Sequence, residues 1–203
     1  MTIFQRVLCC LLCVLTTSLV AQRDLPKDYL EADFHKERRA LLRKSLPENS
    51  VAVFFAGAVR NRANDVDYMY HQDPNFYYLT GYNEPNSVLF VFSEDQETDD
   101  ASFNELIYVQ KRDAAKEQWN GIRLGVEGVG RDLGFENVFN GEQLKDIPVD
   151  FSTFSRILFK DFQNDVRDSE RDDADLYSLI DQFKTKISFE LVLTEMPADE
   201  KIK

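Results

Sequence analysis

An apolar stripe of helical period is the first regular pattern in the chain, and it spans residues 29–46. The stripe consists of Leu30, Phe34, Leu41 and Leu42, and charged residues occupy most of the opposite face. Pro47 cannot continue a helix and therefore favours an end at residue 46. The pattern predicts an amphipathic helix that places His35 among charged residues on its solvated side.

Short apolar runs alternate with helical segments over the rest of the chain. Residues 51–56 (Val-Ala-Val-Phe-Phe-Ala) are uninterrupted, as expected of a strand that is buried on both faces of a sheet. Further strands are predicted at Ser87–Phe92, Leu106–Val109, Phe135–Phe139 and Arg156–Phe159, and further helices at Asp113–Gln118, Glu142–Lys145 and Asp172–Lys184. This alternation predicts an α/β fold with a mixed β-sheet flanked by helices.

Several segments show no regular period. Residues 58–75 predict a long, ordered or functional loop, and a short apolar segment, Phe76–Leu79, follows it. The acidic stretch Glu94–Glu105 predicts a solvated turn. The glycines between Gly121 and Gly134 are expected to interrupt any regular element, and their spacing does not fit a dinucleotide-binding fingerprint.

The first 21 residues have the pattern of an export signal. Arg6 supplies a positive charge, residues 7–20 are mostly apolar, and Ala21 is a small residue suited to cleavage. All three cysteines lie within this segment, so the processed protein would contain no disulfide. We expect a secreted or periplasmic protein that has no membrane contact after cleavage of residues 1–21; an uncleaved anchor is the alternative.

The charge balance restricts the possible partners. The formal net charge is −12 at pH 7, and affinity for nucleic acid depends largely on Lys and Arg neutralising phosphates. Nucleic acid is therefore not expected to bind.

Residues for catalysis or for metal binding are scarce. The chain has two histidines, and no H-E-x-x-H or G-x-S-x-G motif occurs. Asp65 and Asp67 could form a weak calcium site, but backbone carbonyls and a third carboxylate are not evident there. We predict no catalytic residue and no metal ligand in this chain.

Residues 60–85 differ from this background because they combine five tyrosines and a phenylalanine with Asn, Asp, Gln and His. One interpretation is a concave polar surface with aromatic walls that holds a peptide or a sugar. The other is an irregular loop that half-buried tyrosines hold in place. Composition alone does not decide between them.

The order of residues in this segment resembles the aminopeptidase P N-terminal domain, the first domain of the creatinase and prolidase type. The resemblance rests on residues 64–73 (Asn-Asp-Val-Asp-Tyr-Met-Tyr-His-Gln-Asp), residues 76–85 (Phe-Tyr-Tyr-Leu-Thr-Gly-Tyr-Asn-Glu-Pro) and residues 117–125 (Glu-Gln-Trp-Asn-Gly-Ile-Arg-Leu-Gly). It covers roughly residues 30–195. It implies a domain over 22–195, followed at 196–203 by the start of a segment that connects to a larger catalytic domain. In the family that larger domain binds two metal ions, usually manganese, so the cofactor would be bound outside this chain.

The resemblance also implies a role in assembly. In the family this domain makes contacts within a homo-oligomer and contributes to the rim of a neighbouring subunit's active site, which admits peptides with proline second. Asp65 and Trp119 match positions expected near that site, together with His71 and Tyr70. Asp65 could instead cap the loop, and Trp119 could instead be part of the core.

Two residues depart from the family's pattern. His71 stands where relatives commonly carry Arg, so any ion pair made by that Arg is in doubt. Tyr82 replaces the more usual Phe and adds one hydroxyl.

Three functional hypotheses follow from these observations. The first is the N-terminal domain of a secreted, manganese-dependent Xaa-Pro aminopeptidase, which acts on proline-containing peptides and is inactive without its catalytic domain. The second is a stand-alone peptide-binding or dimerisation domain without catalysis. The third is a member of the related prolidase or creatinase branch.

Overall fold

The computed structural model describes residues 30–64, 66–98, 101–160 and 174–187, together with the backbone of 193–195. Several predictions lie outside these residues: the export signal at 1–21, Asp65, the first residues of the helix Asp172–Lys184, and the connecting segment 196–203.

The chain forms eight strands and five α-helices within these described residues. The helices are α1 (Ala32–Ser45), α2 (Pro74–Thr80), α3 (Ala114–Asn120), α4 (Gly125–Leu133) and α5 (Leu176–Lys186). The strands are β1 (Ser50–Phe55), β2 (Asn61–Ala63), β3 (Val66–Asp67), β4 (Val88–Glu97), β5 (Ser102–Val109), β6 (Val138–Asn140), β7 (Arg156–Phe159) and β8 (Leu193–Glu195). Two 3-10 helices, Gly141–Asp146 and Phe151–Thr153, lie between β6 and β7.

Six strands form one mixed sheet in the order β6-β5-β4-β1-β7-β8. Strand β4 is antiparallel to both of its neighbours, β1 and β5, whereas the other neighbouring pairs are parallel. The predicted fold class, a mixed sheet flanked by helices, is confirmed.

Both faces of the sheet are covered, as the apolar run in β1 predicted. Alternate residues of β1 enter two different cores: Val51 and Val53 face one, and Ala52 and Phe54 face the other. The first core includes Leu179 and Phe183 of α5 together with residues of the 3-10 helices. Helices α1, α2 and α4 cover the opposite face.

The predicted solvated turn at Glu94–Glu105 is wrong over most of its length. Strands β4 and β5 extend through it as an antiparallel hairpin, in which Gln96 pairs with Phe103. Phe103 is buried, and Glu105 is drawn into an ion pair with Arg39. An antiparallel strand needs to bury only one face, so polar residues on the other face do not prevent it.

The expectation that glycines interrupt residues 121–134 is also wrong, because helix α4 spans Gly125–Leu133. Within it, a Cβ on Gly128 would lie 3.0 Å from the Leu124 Cβ, so the small residue permits close packing. The helix ends at Gly134, whose φ of 67° favours glycine. The strand predicted at Phe135–Phe139 consequently begins later, at Val138.

His35 is not on a solvated face, as the charge pattern had predicted: it is 1% exposed. Its Nδ1 lies 2.9 Å from the carbonyl oxygen of Tyr78 in α2, and because a carbonyl only accepts, Nδ1 is the donor. A Cβ on Gly81 would lie 2.7 Å from the imidazole Cδ2, so the ring packs directly on that glycine. The short apolar segment at 76–79 thus becomes helix α2, held against α1 by this histidine.

Among the residues that the structure describes, no helix has both the length and the hydropathy needed to cross a bilayer.

Candidate functional site

Two loops, residues 56–73 and 110–124, overlap the family-like segments 64–73 and 117–125 and lie at the same edge of the sheet. Strands β1 and β5 are both antiparallel to β4, so they run in the same direction and end at the same edge. Residues 56–73, which we call the aromatic loop, follow β1. Residues 110–124, which include Trp119, follow β5. The aromatic loop and the segment that carries Trp119 are therefore neighbours in the fold, although they are far apart in sequence.

Gln72 orders the aromatic loop. Its Oε1 accepts hydrogen bonds from the backbone N of Gly57 (2.6 Å) and of Asp73 (2.9 Å). Its Nε2 donates to the backbone oxygens of Tyr82 (3.1 Å) and Glu84 (2.9 Å). One amide side chain thus joins the start of the loop, its end and the segment before β4.

Close backbone packing reinforces this junction. A Cβ on Gly57 would lie 2.6 Å from the backbone oxygen of His71 and 3.0 Å from the backbone N of Asp73. Only glycine fits there without a shift of the backbone. Within the loop, Asn61–Ala63 pairs with Val66–Asp67 as a short hairpin.

The structure places the predicted site residues of this loop in different environments. Tyr70 is half-buried, and its hydroxyl lies 3.4 Å from the backbone oxygen of Glu84. Burial raises the pKa of Tyr70 above its usual value, so its hydroxyl stays neutral. His71, next to it, is exposed. Asp65 lies outside the described residues.

Trp119 is on the surface, with 87% of its area exposed, so its interpretation as a core residue is wrong. It lies near the end of α3, a helix capped by Asp113, whose carboxylate accepts from the backbone N of Ala115 and Lys116. An exposed indole on a capped helix is available for contact with another molecule.

Two carboxylates accept hydrogen bonds from the backbone of the residues after Trp119, Arg123 and Leu124. Glu117 forms a two-point hydrogen-bonded ion pair with Arg112 at 2.9 Å for each contact, and its Oε1 accepts from the backbone N of Arg123 at 3.2 Å. The hydrogen bonds from Arg112 lower the pKa of Glu117 to about 2. Glu84 Oε1 accepts from the next backbone N, that of Leu124, at 2.9 Å.

Exposed apolar side chains are concentrated at this edge. Of the eight large hydrophobic residues that are exposed in the described parts of the chain, six lie in the two segments: Val59, Val66, Tyr68, Met69, Trp119 and Ile122. We call these six residues the carboxyl-edge surface. Exposed apolar side chains that form one patch are typical of a surface that contacts a partner.

A polar cleft of about 420 Å³ lies beside α3. It is lined by four basic residues and four acidic ones, among other polar groups. Two of the acids, Asp113 and Asp175, cap the helices α3 and α5. Two of its basic residues are paired with acids of the same cleft, Arg112 with Glu117 and Lys111 with Glu142.

The described parts of the chain contain no group of three or more His, Cys, Asp or Glu residues that could hold a metal ion. Asp67, one of the two carboxylates considered for calcium, lies 3.3 Å from the Nδ2 of Asn61 within the hairpin. The described residues therefore offer no ligand set for a two-metal centre, which the family resemblance assigns to a different domain.

Sequence reasoning did not single out Gln72, Glu84 or Glu117, which organise this edge. All three lie within the segments that resemble the family signature, at 64–73, 76–85 and 117–125. Their polar side chains within aromatic surroundings were the available signal. Their partners lie up to 40 positions away, which no local pattern reveals.

Comparison with known proteins identifies the family. Residues 35–153 match the sequence profile of the aminopeptidase P N-terminal domain. A Xaa-Pro aminopeptidase of Haemophilus influenzae is 34% identical over 119 residues, which are 59% of this chain and 25% of that protein. The chain therefore spans about a quarter of the length of this relative.

Solved structures agree with this assignment. Aminopeptidase PepP of Pseudomonas aeruginosa superposes with a TM-score of 0.55 at 26% identity, over 64% of this chain and 29% of that one. Escherichia coli aminopeptidase P with the inhibitor Pro-Leu gives a TM-score of 0.59 at 22% identity, over 78% of this chain and 33% of that one, and shows a shared fold. The chain belongs to the aminopeptidase P N-terminal domain family.

Proposed function

We propose that this chain is the N-terminal domain of a secreted, manganese-dependent Xaa-Pro aminopeptidase. In that enzyme it would support a homo-oligomer and shape the substrate pocket of a neighbouring subunit, which releases the residue that precedes proline. Relatives named Xaa-Pro aminopeptidase support the choice of enzyme. Manganese would be bound by residues outside those described here, since these offer no ligand set.

The observation that carries the proposal is the exposure of Trp119. A side chain that is 87% exposed contributes little to the stability of its own domain. The backbone that follows is nevertheless held by two carboxylates. Glu117 accepts a hydrogen bond from the backbone N of Arg123, and Glu84 accepts one from the backbone N of Leu124. An exposed indole close to backbone that is held in this way is suited to contact another subunit or a peptide, since Trp is favoured in interface hot spots.

The other predicted residues would act with Trp119 at the same edge. Tyr70 offers a neutral hydroxyl, and the exposed His71 offers an imidazole. Asp65, which lies outside the described residues, would supply a carboxylate. None of these groups needs to react with the substrate, because their proposed role is to limit which peptides enter.

The proposal is tested by assaying the complete enzyme with the peptide Arg-Pro-Pro. We expect release of arginine that requires Mn²⁺ and is lost with EDTA. The Trp119→Ala variant should raise KM, with a smaller change in kcat, because it removes a binding contact away from the reacting atoms. The isolated 203-residue chain should release no arginine with or without Mn²⁺, and activity in that chain would contradict the proposal.

The stand-alone peptide-binding or dimerisation domain remains the second candidate, favoured by the concentration of apolar residues on the carboxyl-edge surface. Sequencing of the gene past the codon for Lys203, together with a measurement of self-association, separates the two. A stable, self-associating chain whose gene ends at Lys203, with no metal-dependent partner domain, would support the second candidate and refute the first.

A further inference from the structure

Two consecutive backbone N–H groups, those of Arg123 and Leu124, each donate to a carboxylate. The acceptor for Arg123 is Glu117, which lies in helix α3 together with Trp119. The acceptor for Leu124 is Glu84, which lies 40 positions earlier, in the segment before β4. Glu84 thus joins the Trp119 segment to the body of the domain.

Glu84 is itself held in place. Its Oε2 accepts a hydrogen bond from the hydroxyl of Tyr82 at 2.8 Å, and Tyr82 is fully buried. Its backbone oxygen accepts from Gln72 Nε2 at 2.9 Å. These two hydrogen bonds fix the position of the Glu84 carboxylate next to the backbone N of Leu124.

The geometry at Leu124 favours a negative charge. Leu124 immediately precedes α4 and has no side-chain cap of its own. A carboxylate at the start of a helix satisfies an otherwise unpaired N–H and interacts favourably with the helix dipole. Such charge-assisted hydrogen bonds are stronger than neutral ones.

We propose that Glu84 is a positioning residue for Trp119, and that the hydroxyl of Tyr82 fixes the Glu84 carboxylate for this role. Trp119 lies five residues before Leu124, so release of Leu124 frees the segment on which the indole stands. The part of the proposal that concerns substrate rests on the proposed function, in which Trp119 meets a peptide.

The first test measures the chain itself. Hydrogen exchange of the Leu124 amide reports the contact directly, and time-resolved anisotropy reports Trp119, the single tryptophan. In Glu84→Gln we expect the Leu124 amide to exchange about tenfold faster, because a weaker neutral acceptor replaces the carboxylate. Trp119 should gain a faster depolarisation component.

Two controls, one amide in the same variant and one other variant, separate a local effect from general destabilisation. The Arg123 amide, held by Glu117, should keep its wild-type exchange rate, whereas global loosening would accelerate both amides. The matched control is Glu136→Gln, which removes a carboxylate charge from a residue whose side chain is 83% exposed and which pairs with Lys36. An unchanged Leu124 amide in a folded Glu84→Gln variant would overturn the proposal.

Tyr82→Phe keeps the test decisive if Glu84→Gln fails to fold. It removes only the hydroxyl and leaves the ring to fill the core. Faster exchange at Leu124 than in the wild type supports the proposal, and an unchanged rate overturns the role of the hydroxyl.

The second test uses the complete enzyme. We expect Glu84→Gln to raise KM for a Xaa-Pro peptide by about tenfold while kcat stays within about twofold, since it displaces a binding contact and no reacting group. Faster Leu124 exchange with a wild-type KM would overturn the positioning role. Failure of the proposed function is distinguishable, because the wild-type enzyme would then show no hydrolysis whatever the exchange rates are.

Discussion

The guanidinium of Arg39 and the carboxylate of Glu105 form a two-point ion pair between helix α1 and strand β5. Nε donates to Oε2 at 2.9 Å and Nη2 donates to Oε1 at 3.0 Å. Arg39 is 0% exposed, and its Cζ lies 3.8 Å from the centre of the Phe135 ring. Its Nη1 donates to the backbone oxygen of Leu79, so one arginine ties α1 to the sheet and to α2.

Removal of the Glu105 carboxylate should be costly. In Glu105→Ala the buried Arg39 loses its counter-charge, so we expect the free energy of unfolding to fall by about 3–5 kcal/mol. Urea unfolding followed by circular dichroism measures the change. The surface pair of Lys36 and Glu136 is the control: Glu136→Ala should cost less than about 1 kcal/mol. Equal effects of the two variants would contradict this account of Arg39.

Stability should also depend on pH through His35. Burial lowers its pKa below the ordinary value of 6.5. At pH above 6.5 the histidine is neutral in both states, so the full stability is present. As the pH falls below 6.5, the unfolded chain takes up a proton that the folded chain resists, and stability declines until the folded-state pKa is reached.

The check is the urea midpoint between pH 7.5 and pH 5 for two histidine variants. His35→Asn should show a flatter pH dependence than the wild type, because the group responsible has been removed. His71→Asn, at an exposed position, should keep the wild-type dependence. Identical pH profiles for His35→Asn and the wild type would refute the role of His35.

Gly57 and Gly130 should respond to alanine in opposite directions. Gly57→Ala brings a methyl group to 2.6 Å from the His71 backbone oxygen, so we expect a loss of about 1–3 kcal/mol by overpacking. At Gly130, inside α4, the Cβ would meet the Phe135 backbone oxygen at 3.5 Å, an ordinary contact. Gly130→Ala should therefore stabilise the protein by up to about 1 kcal/mol through helix propensity. Thermal unfolding of both variants under one condition tests the pair, and a stabilising Gly57→Ala would contradict the close approach.

Sequence patterns were most informative where the pattern within one segment was enough to predict its secondary structure. The apolar run at 51–56 predicted a strand covered on both faces, and β1 contributes to both cores. The stripe at 29–46 predicted helix α1, but it did not predict the buried face correctly: Leu30 and Leu41 are exposed, and the buried residues are His35, Arg39 and Leu42. The mixed sheet followed from the alternation of such elements.

The failures share a physical cause, which is the distance in sequence between partners. His35 and Arg39 are charged or polar, and their burial depends on Tyr78 and Glu105, which lie 43 and 66 positions away. Helix α4 forms despite its glycines, and its Val129 is buried in the same core as Leu42 and Leu89, which are far away in sequence. Tertiary contacts of this kind override local propensity, and a single sequence does not display them.

The roles of the candidate site residues stay a prediction. The resemblance identified Trp119, Tyr70 and His71, and the structure shows the segments that carry them at one edge of the sheet. The carboxylates that organise this edge, Glu84 and Glu117, were not anticipated, since acidic residues in a chain of net charge −12 do not stand out.

The central claim, that Trp119 contacts a neighbouring subunit, is tested most directly by acrylamide quenching of its fluorescence in the complete enzyme. Trp119 is the only tryptophan of this chain. Its fluorescence can be measured alone in an enzyme in which any tryptophans outside this chain are replaced by phenylalanine. With increasing protein concentration, we expect the quenching constant to fall severalfold and the emission to shift to the blue as the oligomer forms and covers the indole. Oligomer formation, shown by sedimentation, with Trp119 as accessible as in the monomer would contradict the claim.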